Sequence, residues 1–217
     1  MTALAAASRQ GELERLLEQG IAELGLELDP GVPGKLLGQL ELLEKWNRVH
    51  SLTSIRDAAK AVSVHLLDSL AVVPYVSGPR VLDVGSGAGF PGLPVALARP
   101  ELQVDLLDSN HKKCAFLRQA VAEAGARNAK VVCNRVEAYR PANPYDCILS
   151  RALADLAEIV ALTEHLLAPG GVIAAMKGVH PFEEIERIPS GFRVRQAHTL
   201  SVPGLGAERH LVLVERA

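Results

Sequence analysis

The sequence has little cysteine and few aromatic residues, and it carries no large excess of charge of either sign. Its three cysteines, Cys114, Cys133 and Cys147, are odd in number and lack the paired spacing of a zinc site or of a redox C-x-x-C motif. We therefore expect buried free thiols and no bound metal. The formal net charge of −2 at pH 7 argues against a uniformly basic nucleic-acid-binding domain, so an RNA partner would have to meet a local basic patch.

Long hydrophobic runs are also missing. No stretch approaches the length needed to cross a bilayer, and the first residues do not combine a basic start with an uninterrupted apolar segment. No repeat or low-complexity tract is visible. With 217 residues, 48% of them hydrophobic and 22% charged, the chain is expected to be a globular cytoplasmic protein.

The chain divides into two regions that differ in their pattern of apolar residues. Up to about residue 76, apolar residues recur three and four positions apart, which predicts helices over 13–25, 34–50 and 59–76. From residue 80 onward, short apolar or β-branched runs alternate with helical segments. We therefore predict an N-terminal helical subdomain over 1–76 and a second domain over 77–217.

The second region predicts an α/β fold. Five strand candidates alternate mostly with helices, a rhythm typical of a parallel sheet covered on both faces. They lie at 80–85, 103–109, 129–135, 145–151 and 170–178. Two last candidates, at 192–202 and 208–217, have no helix between them and predict an antiparallel hairpin. This is the Rossmann-like seven-stranded sheet of class I S-adenosylmethionine-dependent methyltransferases, here with an N-terminal helical extension.

A glycine-rich turn follows the first strand candidate. Residues 81–92 read VLDVGSGAGFPG, and because glycine is costly to order, the cluster indicates positive backbone angles or the close approach of a ligand. Its last three glycines satisfy G-x-G-x-x-G, which alone is a weak sign of a dinucleotide site. Asp83, two residues before Gly85, gives D-V-G-S-G-A-G, which resembles motif I of the S-adenosylmethionine-dependent class and favours that cofactor. Its carboxylate can help hold the loop or, through water, the amino group of the cofactor.

The second strand candidate ends in the carboxylate of Asp108. An acidic residue at this position accepts hydrogen bonds from both hydroxyls of a ribose, in nicotinamide and S-adenosylmethionine sites alike. The alternative is that Asp108 caps the following helix, although Ser109 or Asn110 can serve as that cap instead. We expect Asp108 to bind the ribose.

Longer motifs carry a more specific resemblance. The stretches VLDVGSGAGFPGLPVALARP, LLDSNHKKCAFLRQ, NRVEAY, LSRALADL, NRVHSLTSIRD and HLLDSL resemble the bacterial 16S ribosomal RNA guanine-N7 methyltransferase G family, also called glucose-inhibited division protein B. The resemblance extends from about residue 40 to the C-terminus. It implies methyl transfer from S-adenosylmethionine to N7 of one guanine in the decoding region of 16S rRNA, with S-adenosylhomocysteine as product. It also implies 16S rRNA or the small ribosomal subunit as partner, and a monomer is the default for this class. The missing bilayer-spanning run predicts no membrane partner.

The resemblance further implies which residues bind the cofactor. The set comprises Asp83, Gly85, Gly87 and Phe90 at the glycine-rich turn, Asp108 at the ribose with Ser109 beside it, Val136 and Glu137 at the adenine, and Arg151 after the fourth strand. All of them fall at the carboxyl edge of the predicted sheet, where open α/β sheets bind ligands. Because guanine N7 has a lone pair and no hydrogen, we predict no catalytic base.

A second set of polar residues is the candidate substrate side. It comprises Asn47, Thr53, His65, Asp68, Ser69 and, at the end of the fifth strand, Lys177. The three at 65–69 fit one helical face, which either forms a satisfied polar edge against the sheet or roofs the transfer site and holds the guanine. Lys177 is either a phosphate or base contact or a surface cap. The family commonly shows Asn-Leu-Thr where this chain has Ser51-Leu52-Thr53, so any contact of that asparagine is not carried over.

Other functions stay open from the residues alone. A methyltransferase acting on a small molecule would share the cofactor loop and differ in its cap. A nicotinamide dehydrogenase would share the glycines and the acidic residue. A noncatalytic RNA-binding or scaffold protein would still bind S-adenosylmethionine but would not methylate any ribosomal substrate.

Overall fold

The computed structural model describes residues 3–217, with side chains from residue 8 onward. Seven strands form one sheet of order β3-β2-β1-β4-β5-β7-β6. They are β1 (Arg80–Val84), β2 (Gln103–Asp108), β3 (Ala129–Cys133), β4 (Tyr145–Arg151), β5 (Leu167–Lys177), β6 (Phe192–Thr199) and β7 (His210–Arg216). The first five run parallel, and β7 pairs antiparallel with β5 and β6. The predicted sheet with its C-terminal hairpin is confirmed.

The N-terminal region is helical, as predicted. Its elements are α1 (Ala3–Glu23), α2 (Val32–Asn47), α3 (Ala58–Ala61), a π-helical segment (Val62–Leu67), α4 (Asp68–Leu70) and a 3₁₀ turn (Val73–Tyr75). The third predicted helix is therefore a nearly continuous helical run with a π-helical segment in its middle. Such segments are rare and occur frequently at functional sites.

The remaining helices connect the strands. They are α5 (Gly92–Ala98), α6 (His111–Ala124), α7 (Leu156–Thr163) and the short α8 (Phe182–Glu186), with 3₁₀ turns at Val136–Ala138 and Glu164–Leu166. Local chemistry sets their ends: the side chain of Asn110 caps the start of α6, and Gly125 takes a left-handed φ of 61° at its end. In residues 3–217, no helix has the length and hydrophobicity of a membrane span.

Two buried clusters cover the two faces of the sheet. One packs α7 against residues such as Leu82 and Ile148. The other joins the N-terminal helices, α5 and α6 to the opposite face, so that Leu36 and Leu66 share a core with Leu149. The predicted helical region thus packs directly on the sheet, and a domain boundary between residues 76 and 77 stays a prediction.

Strand register brings the predicted site residues to one edge of the sheet. Val84 at the end of β1 pairs with Leu107 and with Ser150, each one residue before the end of its strand. The turn after β1 therefore lies between Asp108 and Arg151, which end β2 and β4. Since β7 is antiparallel, its first residue also lies at this edge.

Candidate functional site

The turn after β1 is a tight glycine-rich loop tied to the neighbouring strand. The backbone N–H groups of Gly85 and Ser86 both donate to the carbonyl oxygen of Leu107, at 2.9 and 3.0 Å. Gly85, Gly87 and Gly89 have φ values of 71°, 59° and 85°, which residues with a Cβ rarely adopt. The glycines are thus required by the backbone path of the loop.

The buried residue Asp83 stabilises this loop through hydrogen bonds. Its Oδ2 accepts the N–H of Gly92 at 3.0 Å, and its carbonyl oxygen accepts the hydroxyl of Ser86 at 2.9 Å. The residue is 1% exposed, and burial raises the pKa of its carboxyl to about 6. The structure therefore shows the loop-holding contact, whereas a water-mediated contact with a cofactor stays a prediction.

Asp108 is fixed by backbone donors on two sides. Its Oδ2 accepts the N–H of Gly87 at 3.0 Å, and its Oδ1 accepts the N–H of Asn110 at 2.8 Å. The side chain of Asn110 caps α6 by accepting the N–H groups of Lys112 and Lys113, so Asp108 is not the helix cap. A carboxylate has about four acceptor sites, which leaves capacity for the two hydroxyls of a ribose.

The predicted adenine side lies beyond β3 on the same edge. Val136 is half-buried against the core cluster that packs α7 on the sheet, and it begins a 3₁₀ turn that also contains Glu137. Glu137 is exposed and pairs with Arg135 at 2.9 Å. Ser109 is exposed beside Asp108. The structure places these residues on the rim of the edge, and their contacts with the cofactor stay predictions.

Arg151 ties the helical region to the end of β4. Its Nη1 donates to the carbonyl oxygen of Val64 at 3.0 Å and to Oδ2 of Asp68 at 3.1 Å. Its guanidinium carbon lies 5.5 Å from the ring centroid of Phe90, within the range of a cation–π contact. Arg151 therefore links three segments that are distant in sequence.

His65 stacks on the aromatic residue of the glycine-rich loop. The rings of His65 and Phe90 lie 4.7 Å apart with an angle of 8° between their planes. His65 Nε2 lies 3.1 Å from the hydroxyl oxygen of Thr53, whereas its buried Nδ1 has no partner among the described residues. Burial, and then the charge of Arg151, lowers the pKa of His65 to about 4. The imidazole is therefore neutral at pH 7.

Two predicted substrate residues make their polar contacts inside the fold. The amide of Asn47 donates to the carbonyl oxygen of Thr53 at 2.9 Å and accepts the N–H groups of Leu52 and Thr53. The fully buried hydroxyl of Ser69 donates to the carbonyl oxygen of His65. These contacts hold the loop after α2 and the helical run, and a substrate role for either residue stays a prediction.

Lys177 is also held by the protein. Its Nζ lies 2.7 Å from the carbonyl oxygen of Ala154 and 2.7 Å from Oε2 of Glu184, and its side chain is 13% exposed. Glu184 in addition accepts the N–H of Leu156 at the start of α7. Because its charge is already paired, the predicted contact of Lys177 with a phosphate or base finds no support in this geometry and stays a prediction.

A cavity of about 340 Å³ opens beside these residues, and we call it the edge cavity. Its polar lining consists of His65, Asp68, Arg151, Lys177 and Arg209. Arg209 was not predicted from the sequence; its Nε donates to Oδ1 of Asp68 at 2.6 Å. The available signal was its place at the start of the last strand candidate, 208–217, because an antiparallel strand next to β5 begins at the carboxyl edge of the sheet.

The cysteines differ in burial. Cys114 and Cys147 are buried free thiols, as predicted, and burial raises the pKa of each to about 12. Cys133 is free but only partly buried, because it ends the outermost parallel strand. Within residues 8–217, no three histidine, cysteine or acidic side chains are grouped as metal ligands.

The sheet order, the glycine-rich turn after β1 and the carboxylate ending β2 define the fold of class I S-adenosylmethionine-dependent methyltransferases. A solved structure with this fold is the glycopeptide N-methyltransferase MtfA complexed with S-adenosylmethionine, at a TM-score of 0.59 and 13% identity over 70% of this chain and 87% of that one. Residues 34–212 match the model of the family described as rRNA small subunit methyltransferase G, and the chain belongs to this family.

Relatives match over nearly their whole length. The ribosomal RNA small subunit methyltransferase G of Laribacter hongkongensis is 54% identical over 200 residues, which cover 92% of this chain and 97% of that protein. The protein of the same name from Chromobacterium violaceum is 55% identical over 197 residues, which cover 90% and 94%. The resemblance inferred from the motifs is thereby confirmed.

The edge also fits the cofactor that this fold binds. A Cβ built on Gly87 would meet only the carbonyl oxygen of Gly85, at 3.8 Å, so this side of the loop is open. In contrast, a Cβ on Gly92 would lie 2.6 Å from Oδ2 of Asp83. Gly92 is thus packed against the protein, whereas the open face at Gly87 lies next to the acceptor groups of Asp108.

Proposed function

We propose that the protein transfers a methyl group from S-adenosylmethionine to N7 of one guanine in the decoding region of 16S rRNA. Family membership over residues 34–212 supports a ribosomal RNA substrate. The observation that carries the reaction is the adjacency of the open glycine loop, the preset carboxylate of Asp108 and the edge cavity beside Arg151. S-adenosylmethionine supplies an electrophilic methyl group on a sulfonium, and the product is S-adenosylhomocysteine.

On the cofactor side, the protein provides orientation. The N–H groups of Gly87 and Asn110 hold the carboxylate of Asp108 in one position, so it accepts hydrogen bonds from ribose hydroxyls without reorganising. The proposed adenine contacts are Val136 and Glu137, and Ser109 is a further proposed cofactor contact. Asp83 contributes indirectly, because it ties the start of α5 to the loop.

On the acceptor side, the protein provides a place for the base next to the cofactor loop. The proposed wall of this place is the stacked pair of His65 and Phe90 with the ion pair of Arg151 and Asp68. Guanine N7 attacks as a bare lone pair, so no group has to remove a proton from it. The purine gains positive charge in this step, and the neutral imidazole of His65 adds no opposing charge at pH 7.

The proposed partner is the small ribosomal subunit or its 16S rRNA, and the proposed place of action is the cytoplasm, where ribosomal subunits are assembled. We propose that the enzyme acts as a monomer. The sequence of the chain is not basic overall, so local cations must meet the RNA backbone.

The test is methylation of purified small ribosomal subunits that lack the modification, with a radiolabelled methyl donor and mapping of the labelled base. We expect label at N7 of a guanine in 16S rRNA. Asp108→Ala and Arg151→Ala should lose activity. The control is Glu101→Ala, which removes an exposed carboxylate just before the start of β2, far from the carboxyl edge, and it should retain activity. Label on another atom, on protein or on small metabolites would overturn the proposal.

A further inference from the structure

Arg209 lies at the carboxyl edge of the sheet although it belongs to the C-terminal hairpin. β7 is antiparallel, and its first residue, His210, pairs with Lys177 at the end of β5. Arg209 immediately precedes this strand, and its side chain lines the edge cavity together with Arg151. The hairpin thus places the charge of Arg209 in the same cavity in which β4 places the charge of Arg151.

The guanidinium of Arg209 is anchored at one end only. Its Nε donates to Oδ1 of Asp68 at 2.6 Å, and its Nη1 makes a long contact of 3.5 Å with the carbonyl oxygen of Glu208. Its Nη2 donates to no group within residues 8–217. The side chain is 20% exposed at the cavity wall. The edge of the guanidinium that carries Nη2 is therefore available to a ligand, while Asp68 fixes its orientation.

The charged side chains that line the edge cavity do not balance. Lys177 is neutralised by Glu184, which lies outside the lining, at 2.7 Å. Asp68 is then the single carboxylate against the two guanidinium groups of Arg151 and Arg209. The lining carries one excess positive charge, which matches the single negative charge of a nucleic-acid backbone phosphate.

The chemistry of the proposed reaction selects a phosphate over the base as the partner of this charge. A guanidinium directed at the N7 edge of guanine would occupy the lone pair that has to attack the methyl group. It would also oppose the positive charge that the purine gains. A cation in this cavity is therefore compatible with the reaction when it binds the strand that carries the guanine.

We propose that Arg209 is a substrate-binding residue that holds a backbone phosphate adjacent to the acceptor guanine. The inference rests on the proposed function, since it assumes that RNA enters the edge cavity. Asp68 acts here as a positioning residue, because it aims the guanidinium and is itself buried.

The test compares Arg209→Gln with Arg193→Gln, which removes an exposed cation from the same hairpin away from the cavity. Binding of unmodified small subunits is measured over a salt series, with calorimetry for S-adenosylmethionine and steady-state methylation. Arg209→Gln should lower the slope of log K against log salt by about 0.7–0.9, as expected for one lost phosphate contact. It should raise the KM for subunits about tenfold and leave the Kd for the methyl donor within about twofold. Arg193→Gln should behave as the wild type.

The outcomes separate the two proposals. If wild-type protein does not methylate rRNA, the proposed function is wrong. If it does, and Arg209→Gln shows the same salt slope and KM as Arg193→Gln, the assignment of Arg209 is overturned. Should Arg209→Gln fail to fold, Arg209→Met decides, because it keeps the aliphatic stem and removes the charge. A raised KM for subunits with an unchanged Kd for the methyl donor supports the phosphate contact, and an unchanged KM overturns it.

Discussion

The ring of His65 lies parallel to the ring of Phe90 at 4.7 Å, although the two residues come from different parts of the fold. His65 belongs to the π-helical segment of the N-terminal region, and Phe90 belongs to the glycine-rich loop after β1. The same stacked pair lies close to Arg151, which contacts Phe90 from β4. The proposed cofactor loop and the proposed acceptor wall are therefore parts of one packed unit. A substitution in one of them should alter the position of side chains in the other.

Gly87→Ala is expected to lower both the stability of the protein and its affinity for the cofactor, for two different reasons. Gly87 has a φ of 59°, and a Cβ there would point into the open space above the loop. The substitution should cost about 1–2 kcal/mol of unfolding free energy through the backbone alone and should weaken binding of S-adenosylmethionine at least about tenfold by occupying its space. Urea unfolding and calorimetry measure the two effects.

The matched control is Gly125→Ala at the end of α6. Gly125 has a φ of 61°, and a Cβ there would meet nothing within 4 Å. The backbone cost should be similar, while the affinity for the methyl donor should not change. Equal affinities of the two variants would show that the open face at Gly87 is not where the cofactor lies.

The pH dependence of stability should contain two opposing contributions. His65 has an ordinary pKa of 6.5 that is lowered to about 4, so the unfolded chain binds its proton first, and stability falls as the pH drops from about 6.5 to 4. Asp83 has an ordinary pKa of 3.8 that is raised to about 6, so the folded chain binds its proton first, and stability rises as the pH drops from about 6 to 4. Each contribution is about 3 kcal/mol, so they largely cancel in the wild type.

Single substitutions should reveal each contribution when unfolding by urea is measured between pH 4 and 6.5. Relative to the wild type, His65→Gln should lose stability as the pH rises, because only the contribution of Asp83 remains. Asp83→Asn should gain stability over the same range, because only the contribution of His65 remains. The amide oxygen of the asparagine can still accept the N–H of Gly92. Parallel pH profiles of both variants and the wild type would contradict the two shifted pKa values.

Local patterns in the sequence were sufficient for the strands and for part of the site. β4 runs over the residues predicted for it, and the hairpin of β6 and β7 follows from two adjacent strand candidates with no helix between them. Asp108 was predicted as a ribose-binding residue because a carboxylate at the end of the second strand can accept hydrogen bonds from both ribose hydroxyls. The π-helical segment was not predicted, since its apolar spacing resembles that of an ordinary helix.

Contacts across long sequence separations could not be predicted in the same way. Asp68 accepts hydrogen bonds from Arg151 and Arg209, which are separated from it by 83 and 141 residues. No local pattern indicates which charges meet. Phe90 was assigned to the cofactor loop, and its packing on His65 depends on how the helical region docks on the sheet.

Ala152→Gly is expected to stabilise the protein slightly. Ala152 directly follows Arg151 and is the one described non-glycine residue with a positive φ, of 51°. The left-handed conformation costs alanine about 1–2 kcal/mol, and glycine loses about 0.5–1 kcal/mol more backbone entropy on folding. The net gain should be up to about 1 kcal/mol in urea unfolding. Ala154→Gly in the same loop, where φ is not positive, should instead destabilise, and equal losses for both variants would contradict strain at Ala152.

The ion pair between Arg151 and Asp68 should show strong energetic coupling because it is shielded from water. The side chains of Arg151 and Asp68 are 20% and 2% exposed. Removing one partner of such a pair costs about 3–5 kcal/mol, since the other charge is left insufficiently paired. In a double-mutant cycle of Arg151→Ala and Asp68→Asn, we expect a coupling of about 1–3 kcal/mol in urea unfolding.

The comparison for this cycle is the exposed pair of Arg193 and Glu215 on the hairpin, whose arginine side chain is 66% exposed. Its coupling should not exceed about 1 kcal/mol, because solvent screens exposed charges. Since Asp68 also accepts a hydrogen bond from Arg209, some stabilisation should persist in Arg151→Ala, and adding Arg209→Gln should remove it. Additive effects of Arg151→Ala and Asp68→Asn would mean that Arg151 does not depend on Asp68 for its position beside the cofactor loop, and that its contact with the carbonyl oxygen of Val64 is sufficient to hold it there.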